Sequence, residues 1–435
     1  MEEKLRIMKL EEIQKNEVAS MTGITIKYKG ESIKLDAYRI PLEYLIYNKY
    51  NGRIGTSIKS FESEKYLLNA EDIKHKKLIE EFLWNSKIDR NKYTMESLVK
   101  DKQENYGIVS RNGVIIDGNR RASLLNRIVN ERSIWGKKGD ISHCKYFLAV
   151  ILPDDAGKKE IMELETRYQM GQDEKLDYNP EEKYLKCFEL SDAGFSIVEI
   201  ADMMADSEST IKEYLSIFDL MNEYLEQFEY DGMYTRLEKR EGQLKDLNNY
   251  MEKWYERKSK ADWNYNDDDL ELLKTISFDY IRAQYEGKEF RVIAKTNRQK
   301  LDSLFSYGKV WKKFSDEHMN IIDNITEKDI DELKNENKDE DLSKILSARD
   351  KDWTKQATKK IKHNLKSSNY DLDTKQQADE PPKLIERAKK ALEEIDVNLE
   401  TFWNDSVVEE KVNELNKLTY ELKKVIKEKR RKIKV

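Results

Sequence analysis

The stretch at residues 113–129 reads GVIIDGNRRASLLNRIV and carries the side chains whose types and spacing best suit chemistry. A β-branched run ends at Asp117 and Gly118, and Arg120 and Arg121 follow at the start of an apolar pattern with helical spacing. Glycine lets a ligand approach the backbone closely, and a helix N-terminus favours an anion. Because two guanidinium groups add bidentate donors suited to phosphate, the sequence predicts an anion pocket for a polyphosphate. From spacing alone, the alternative is that both arginines are surface charges paired with nearby carboxylates, since Asp-Gly followed by charge is common at turns.

The composition of the chain favours helices over an all-β fold. Charged residues make up 38% of the 435 positions, well above the typical share of about 25%. Glycine and proline are scarce, with 16 and 5 residues, which favours helix. A length prior of roughly 150 residues per domain gives two or three domains. The net charge of −6 does not by itself indicate a nucleic-acid binder, although the local distribution of charge can.

Cysteine usage and hydropathy point to a cytoplasmic protein without a membrane partner. Cys144 and Cys187 are the only cysteines, so no disulfide framework is expected. Apart from the adjacent His143 and Cys144, no Cys or His pair has ligand spacing, which argues against zinc. The N-terminal segment lacks the apolar core of a signal peptide, and no window approaches the roughly 18 apolar residues of a membrane span.

Strand and helix signals alternate before Pro153 and predict a small α+β domain over residues 20–155. Apolar and polar residues alternate on either side of Lys29-Gly30, and a second tight-turn signal is Asn112-Gly113. The expected elements are a hairpin at 24–35, a helix at 70–84, two short strands within 107–117 and a strand at 144–152.

The rest of the chain has three predicted parts. Residues 156–330 lose nearly all strand signals and predict a mainly α-helical domain. Residues 331–382 are polar and highly charged, and predict a linker or partly disordered segment. Residues 383–435 predict a helical or coiled-coil tail with a basic end. The short seam of that tail consists of Leu415, Leu418, Leu422 and Val425 at 3-4-3 spacing.

Residues 195–220, FSIVEIADMMADSESTIKEYLSIFDL, fit a helix-turn-helix. Ala201 is the small residue where the helices cross, and Ser207 caps the second helix. That helix would lie in the DNA major groove. The residues it would present are Ser207, Ser209, Thr210 and Lys212. Glu208 and Glu213 would repel phosphate, and the alternative is a helical hairpin that serves only as scaffold.

The segment VIIDGNRRASLL resembles the signature of the ParB/sulfiredoxin-like superfamily, in which a strand ends in G-E-R-R or D-G-x-R-R and a helix follows. Upstream, YRIPLEYLIYNKYNGRI resembles the first box of the family. Downstream, LETRYQMGQDEKLDYNPEEKY resembles, with an insertion, its E-N-x-x-R box and the start of the next domain. The resemblance spans roughly residues 33–220, about half of the chain.

The resemblance implies a nucleotide-binding domain, because partition proteins of this family bind CTP and hold the triphosphate with an arginine pair and Mg²⁺. On this chain Gly118, Arg120 and Arg121 would contact phosphates, and Arg53 would line the same pocket. Asn119 belongs to the same cofactor-binding set, although partition members usually have Glu at its position. That departure leaves both hydrolysis and the choice of base open.

The downstream box implies further site residues. Glu165 and Gln169 would face Mg²⁺ and phosphate, with Glu165 as a metal ligand. Asp117 would order the loop or act as an acid/base group. Sulfiredoxins carry a reactive Cys inside the motif, and its absence here argues against reductase activity.

The resulting hypothesis is a ParB-like DNA-binding protein in which CTP or ATP with Mg²⁺ acts as a conformational switch. Its helical C-terminal region would serve self-association or contact with a protein partner. Plasmid or phage maintenance, transcriptional control and mobile-element defence all fit. The alternative is an enzyme that uses the same pocket, either a metal-dependent DNA nuclease or a nucleotide-dependent small-molecule kinase. A third possibility is a degenerate domain that binds no nucleotide and acts as an adaptor. For the kinase, Asp117 and Glu165 are the candidate catalytic bases.

Overall fold

The computed structural model describes residues 1–154, 156–170, 178–283, 291–338 and 340–433. It has two compact units, Met1–Leu365 and Lys366–Val435. The first unit combines one mixed sheet with many helices, which confirms the α+β class. The part of the downstream box at 171–177 lies outside the described residues.

The sheet contains β1 (Met21–Tyr28), β2 (Glu31–Pro41), β3 (Ile46–Tyr47), β4 (Gly107–Val109), β5 (Val114–Asp117) and β6 (Tyr146–Ile151). Their order is β1-β2-β6-β4-β5-β3. Pairing is antiparallel for β1/β2, β2/β6 and β4/β5, and parallel for β4/β6 and β3/β5. The predicted hairpin around Lys29-Gly30 is confirmed, with Tyr28 paired to Glu31.

The helices of the first unit begin with α1 (Glu3–Asn16), α2 (Gly55–Glu64), α3 (Ile73–Asn85), α4 (Ile88–Asp101), α5 (Asn119–Asn130), α6 (Arg132–Trp135), α7 (Lys158–Gln169), α8 (Pro180–Asp192), α9 (Ile197–Met204) and α10 (Glu208–Gln227). The helical region then continues with α11 (Glu241–Tyr255), α12 (Asp267–Arg282), α13 (Arg291–Ala294), α14 (Gly308–Asp323), α15 (Ile330–Glu336) and α16 (Leu342–Glu393). The last two helices are α17 (Glu400–Trp403) and α18 (Ser406–Ile433). Short 3₁₀ turns occur at Leu42–Tyr44, Ser142–Lys145 and Tyr234–Leu237.

Helices cover both faces of the sheet. The burial of β6 on both faces explains why its sequence is apolar throughout. Phe147 and Ala149 enter the core that includes residues of α3, α4 and α5. Leu148 and Val150 enter the opposite core together with Leu164 of α7. A strand buried on both sides reads as a continuous apolar run rather than an alternating one.

The predicted corner between strand and helix lies where β5 ends and α5 begins. Gly118 has φ +97° and is the residue immediately before the helix. The Phe147 ring packs against it, so that a Cβ added to Gly118 would lie 2.5 Å from Phe147 Cζ. Both the left-handed backbone and the close approach therefore require glycine.

The two helices of the predicted helix-turn-helix are present as α9 and α10. Ser196 and Glu199 form a capping box at the start of α9. Ala205 lies in the turn with φ 49°, and the Ser207 side chain accepts from Thr210 N at the start of α10. The predicted cap is confirmed, and α10 continues past residue 220 into the helical body. DNA binding stays a prediction.

The prediction of a linker or partly disordered segment at 331–382 is wrong. This segment lies mainly in α15 and α16, and Leu346, Trp353 and Ile361 are buried. Its charges pair within the protein. Asp350 accepts from Arg282 Nη2 and from Arg236 Nη1, both at 3.0 Å. Charged residues that the composition of this segment predicts to be solvated, such as Asp350, thus form ion pairs within the fold.

Buried ionic contacts also attach α16 to the helices before it. The Arg282 side chain is 3% exposed and pairs with Glu327 and Asp350. Its guanidinium lies over the rings of Phe228 and Trp353, with Cζ 4.7 Å and 4.6 Å from their centroids. These contacts fix the start of α16 on the helical region.

The C-terminal unit contains the predicted seam on α18. Leu415, Leu418, Leu422 and Val425 lie on this helix and are exposed. A coiled-coil partner for the seam stays a prediction. Across the described ranges, the helices are all too short or too polar to cross a bilayer.

We predict that Gly118→Ala lowers the free energy of unfolding by about 2–5 kcal/mol. The left-handed backbone contributes about 1–2 kcal/mol, and displacement of the Phe147 ring adds about 1–3 kcal/mol. The matched control is Gly30→Ala, since Gly30 has φ +80° and nothing within 4 Å of an added Cβ. Urea unfolding followed by circular dichroism measures both. Equal losses in the two variants would contradict the close packing at the corner.

Candidate functional site

The loop between β3 and α2 is joined to the corner at Gly118 by a buried amide. Asn119 is 1% exposed, and its Oδ1 accepts from the backbone nitrogen of Asn48 at 2.9 Å. Its Nδ2 donates to the carbonyl oxygen of Ile115 at 2.8 Å. Asn119 therefore connects the strand, the helix and the loop, which places Arg53 in the same region as the arginine pair.

Glu165 and Lys186 form a buried ion pair beneath that loop. Glu165 Oε2 accepts from Lys186 Nζ at 2.7 Å and from Asn48 Nδ2 at 3.4 Å. Its Oε1 accepts from the backbone nitrogen of Gly52 at 2.7 Å. Lys186 Nζ also donates to the Tyr50 carbonyl oxygen at 3.2 Å. The pair thus holds the loop at three of its residues.

The contacts of this pair favour its charged form. Burial by itself lowers the pKa of Lys186, but the charges of Glu165 and Glu189 outweigh it and raise that pKa. Burial raises the pKa of Glu165, against the opposing effects of Lys186 and the Gly52 amide. The atoms within hydrogen-bonding distance of Glu165 are donors, and a carboxylate is a pure acceptor.

Gln169 of α7 forms the adjoining part of the network. Its Oε1 accepts from Asn51 Nδ2 at 3.3 Å and from the Tyr178 hydroxyl. Its Nε2 donates to the Ile116 carbonyl oxygen at 3.3 Å. The Arg53 guanidinium lies over the Tyr178 ring, with Cζ 4.8 Å from its centroid. Gln169 therefore links the sheet to the loop that carries Arg53.

The two arginines of the corner have different environments. Arg121 Nη2 bonds Asp117 Oδ2 at 3.0 Å and the Tyr106 carbonyl oxygen at 3.0 Å, while Nη1 donates to the Asn105 carbonyl oxygen. Arg121 therefore braces the corner and orients Asp117. Arg120 is half-buried in the first turn of α5.

A second buried carboxylate, which sequence reasoning missed, lies at the start of α2. Glu182 of α8 is 5% exposed and accepts from Thr56 Oγ1 at 2.6 Å. It also accepts from Thr56 N at 3.3 Å. Burial raises the pKa of Glu182 to about 8, although the Thr56 hydrogen bonds oppose this shift. The helix that follows the loop is thus anchored to α8 as well.

The described part of the chain contains no group of three or more His, Cys, Asp or Glu side chains placed to hold a metal ion. Glu165 contacts protein donors through both oxygens, so its visible role is to position the loop. Its predicted roles as Mg²⁺ ligand and catalytic base stay predictions.

The predicted DNA-binding residues lie together at the start of α10. Ser207 Oγ lies 2.8 Å from both Ser209 Oγ and Thr210 Oγ1. Lys212 is exposed one turn further on. These hydroxyls and the helix N-terminus form a polar surface suited to phosphate. The exposed carboxylate of Glu208 beside it would repel phosphate.

Helices α7 and α8, which support the loop, pack directly against α9 and α10. Arg167 Nη1 of α7 pairs with Asp202 Oδ2 of α9 at 2.8 Å. Met162 of α7 shares a core with Ile200 of α9 and Ile211 of α10. A displacement of α7 would therefore reach the helix-turn-helix.

Sequence reasoning identified Arg53, Asn119, Glu165 and Gln169 but missed the residues that hold them. Asn48, Glu182 and Lys186 carry no local signal, because their partners lie far away in the sequence. The chain matches no protein-family model and no curated protein. The interpretation of the site therefore rests on the contacts within this chain.

We predict that Lys186→Met lowers the free energy of unfolding by about 3–5 kcal/mol, because it leaves the Glu165 charge buried without its partner. Adding Glu165→Gln should recover part of this loss, since no uncompensated charge then remains. Denaturant unfolding of the single and double variants gives both values.

The control for that cycle is Lys9→Met, which removes the exposed Lys9–Glu12 pair at 2.9 Å. Its unfolding midpoint should equal that of the wild type, because exposed ion pairs contribute little. A Lys186→Met midpoint equally close to wild type would contradict the role of the buried pair.

Proposed function

We propose that this chain is a DNA-binding protein whose N-terminal domain binds a nucleoside triphosphate, CTP or ATP, as a switch. The observation that carries the proposal is the buried contact between Asn48 and Asn119. It joins the loop of Arg53 to the glycine corner of Arg120, which supports a single site for the cationic groups predicted to bind phosphate.

The corner has the backbone that phosphate binding requires. The residue before α5 is Gly118, which has no side chain to cap the helix. The first N–H groups of an α-helix lack intrahelical acceptors, and they attract anions together with the helix dipole. The guanidinium of Arg120 would add charge-assisted hydrogen bonds to the same phosphates.

The predicted groups divide between phosphate and metal. Gly118, Asn119 and Arg120 would lie along the phosphates, and Arg53 would approach them from the loop. Mg²⁺ commonly binds one or two carboxylates plus substrate phosphates, and it would neutralise phosphate charge here. Asp117, held by Arg121, would lie beside a ligand at this corner.

The switch would act through the helices that support the loop. Glu165 and Gln169 on α7 and Lys186 on α8 contact the loop, and α7 and α8 also pack on α9 and α10. A ligand that repositions the loop would thus bias the orientation of the helix-turn-helix. Differential contacts of this kind are what a ligand needs to shift a conformational equilibrium.

The proposed setting is the cytoplasm, with a second copy or a protein partner on the seam of α18. Cys144 and Cys187 are buried free thiols, which suits a reducing compartment. The exposed leucines of α18 would be covered by such a contact.

We predict that a triphosphate with Mg²⁺ raises the unfolding temperature of the full chain, because a ligand that binds only the folded state stabilises it. CTP, ATP and GTP are compared by thermal shift and calorimetry, with and without DNA. Arg120→Ala should weaken binding at least about tenfold, the range of a lost charge-assisted contact. Arg121 is left intact because it braces the corner.

The matched control is Arg111→Ala, which removes an arginine from the turn between β4 and β5. It should bind nucleotide like the wild type. The kinase alternative would be favoured if nucleotide binding did not depend on DNA and the nucleotide were turned over with a small hydroxyl substrate. Metal-dependent loss of DNA would favour the nuclease. No binding by the wild type to any nucleotide, with or without DNA, would contradict the proposal.

A further inference from the structure

A groove of about 580 Å³ lies between α10, α11 and α12, on residues that the nucleotide site does not use. Its apolar lining includes the buried side chains of Leu220 and Met251. Its charged lining is dominated by carboxylates. The charged residues are Asp219, Glu223, Glu252, Glu256, Glu271 and Lys274.

One part of the groove has its charges compensated within the protein. Lys274 Nζ bridges Glu223 at 2.6 Å and Glu271 at 2.7 Å. The Tyr255 hydroxyl donates to Glu271 at 2.6 Å. These contacts fix the walls at the α12 side. Glu256 pairs with Lys258 at 2.7 Å, so Asp219 and Glu252 are the acids left to face the groove.

Asp219 and Glu252 are exposed carboxylates in this groove. Neither forms an ion pair within the described ranges. The closeness of Glu223 also contributes to a raised pKa of Asp219, after burial as the larger cause. A cationic ligand would relieve this accumulation of negative charge, whereas a nucleic acid would be repelled.

A buried amide adds a second and independent requirement. Asn248 lines the groove and is 5% exposed. Its Oδ1 accepts from Ser216 Oγ at 2.9 Å, while its Nδ2 has no acceptor anywhere in the described chain. A buried donor without an acceptor is unfavourable, so the groove suits a ligand that brings a carbonyl oxygen.

We propose that this groove binds an extended, lysine- and arginine-containing segment of a partner protein. A main-chain carbonyl would accept from Asn248 Nδ2, and basic side chains would meet Asp219 and Glu252. Their aliphatic stems would cover Leu220 and Met251. A simple polyamine supplies the charge but lacks the carbonyl acceptor.

The spacing of the carboxylates supports an extended peptide. Asp219 and Glu223 are four residues apart on α10. Glu252 of α11 and Glu256, the residue just after that helix, have the same separation. Four residues correspond to about 6 Å along a helix. Alternate side chains of an extended chain lie on one side and repeat at about 6.6 Å. Asp219 and Glu252 can therefore each meet a basic residue of such a peptide, while Glu223 and Glu256, the second acids of the two rows, already pair with Lys274 and Lys258.

The test uses the full chain and a fluorescein-labelled octapeptide that alternates lysine and serine, with fluorescence anisotropy as the readout. Asp219→Lys combined with Glu252→Lys should weaken binding at least about tenfold, as expected when like charges replace complementary ones. Asn248→Ala should weaken it about fivefold, the effect of one lost hydrogen bond, without changing the salt dependence.

The control is Glu226→Lys, an exposed charge reversal on α10 outside the groove, and it should change affinity less than about twofold. Spermine, which has as many amino groups as the peptide has lysines, should compete poorly. Three results would contradict specific binding of the peptide. Spermine could compete as well as the unlabelled peptide, or Glu226→Lys could weaken binding as much as the double charge reversal. The third is an Asn248→Ala variant that binds the peptide with wild-type affinity. Because the charge reversals lie on the surface, they keep the test decisive if Asn248→Ala fails to fold. Nucleotide binding is not needed for any of these outcomes.

Discussion

The buried pair of Glu165 and Lys186 is the constraint on which the proposed site depends. Removing two charges from water is costly, and the cost is offset only when geometry and hydrogen bonding are both favourable. Here the backbone of Gly52 and the carbonyl of Tyr50 supply the missing partners. The loop must therefore occupy its observed position for the pair to be satisfied. An ion pair that contributes little net stability can still specify one arrangement of α7, α8 and the loop.

This constraint also explains how a ligand at the corner could act at a distance. The loop that Glu165 and Lys186 hold is bonded to Asn119 at the start of α5. The same two helices, α7 and α8, pack on the helix-turn-helix through the Arg167–Asp202 pair and a shared core. A change at the proposed phosphate site would thus have a continuous packed route to α9 and α10. Coupling between the two sites requires an element on that route with two conformations. We propose that the loop between β3 and α2 is this element.

Local features of the fold could be predicted from the sequence because their causes are local. The hairpin at Lys29-Gly30, the corner at Gly118 and the Ser207 cap each depend on a few adjacent residues. The hydrogen-bond network of the site could not be predicted from the sequence, because its partners are far apart. Asn48 and Asn119 are separated by 71 positions, and Glu165 and Lys186 by 21. Composition misled at 331–382 for a similar reason, since charges such as Asp350 pair with partners far away in the sequence.

The most direct test of the central claim is hydrogen–deuterium exchange of the full chain with and without a triphosphate and Mg²⁺. Exchange of backbone amides reports local opening segment by segment. We predict slower exchange at residues 48–56 and 117–123 on binding, together with a change in residues 196–213 of α9 and α10. Protection confined to other segments, or protection of the corner with no change at 196–213, would contradict a nucleotide switch that acts on α9 and α10.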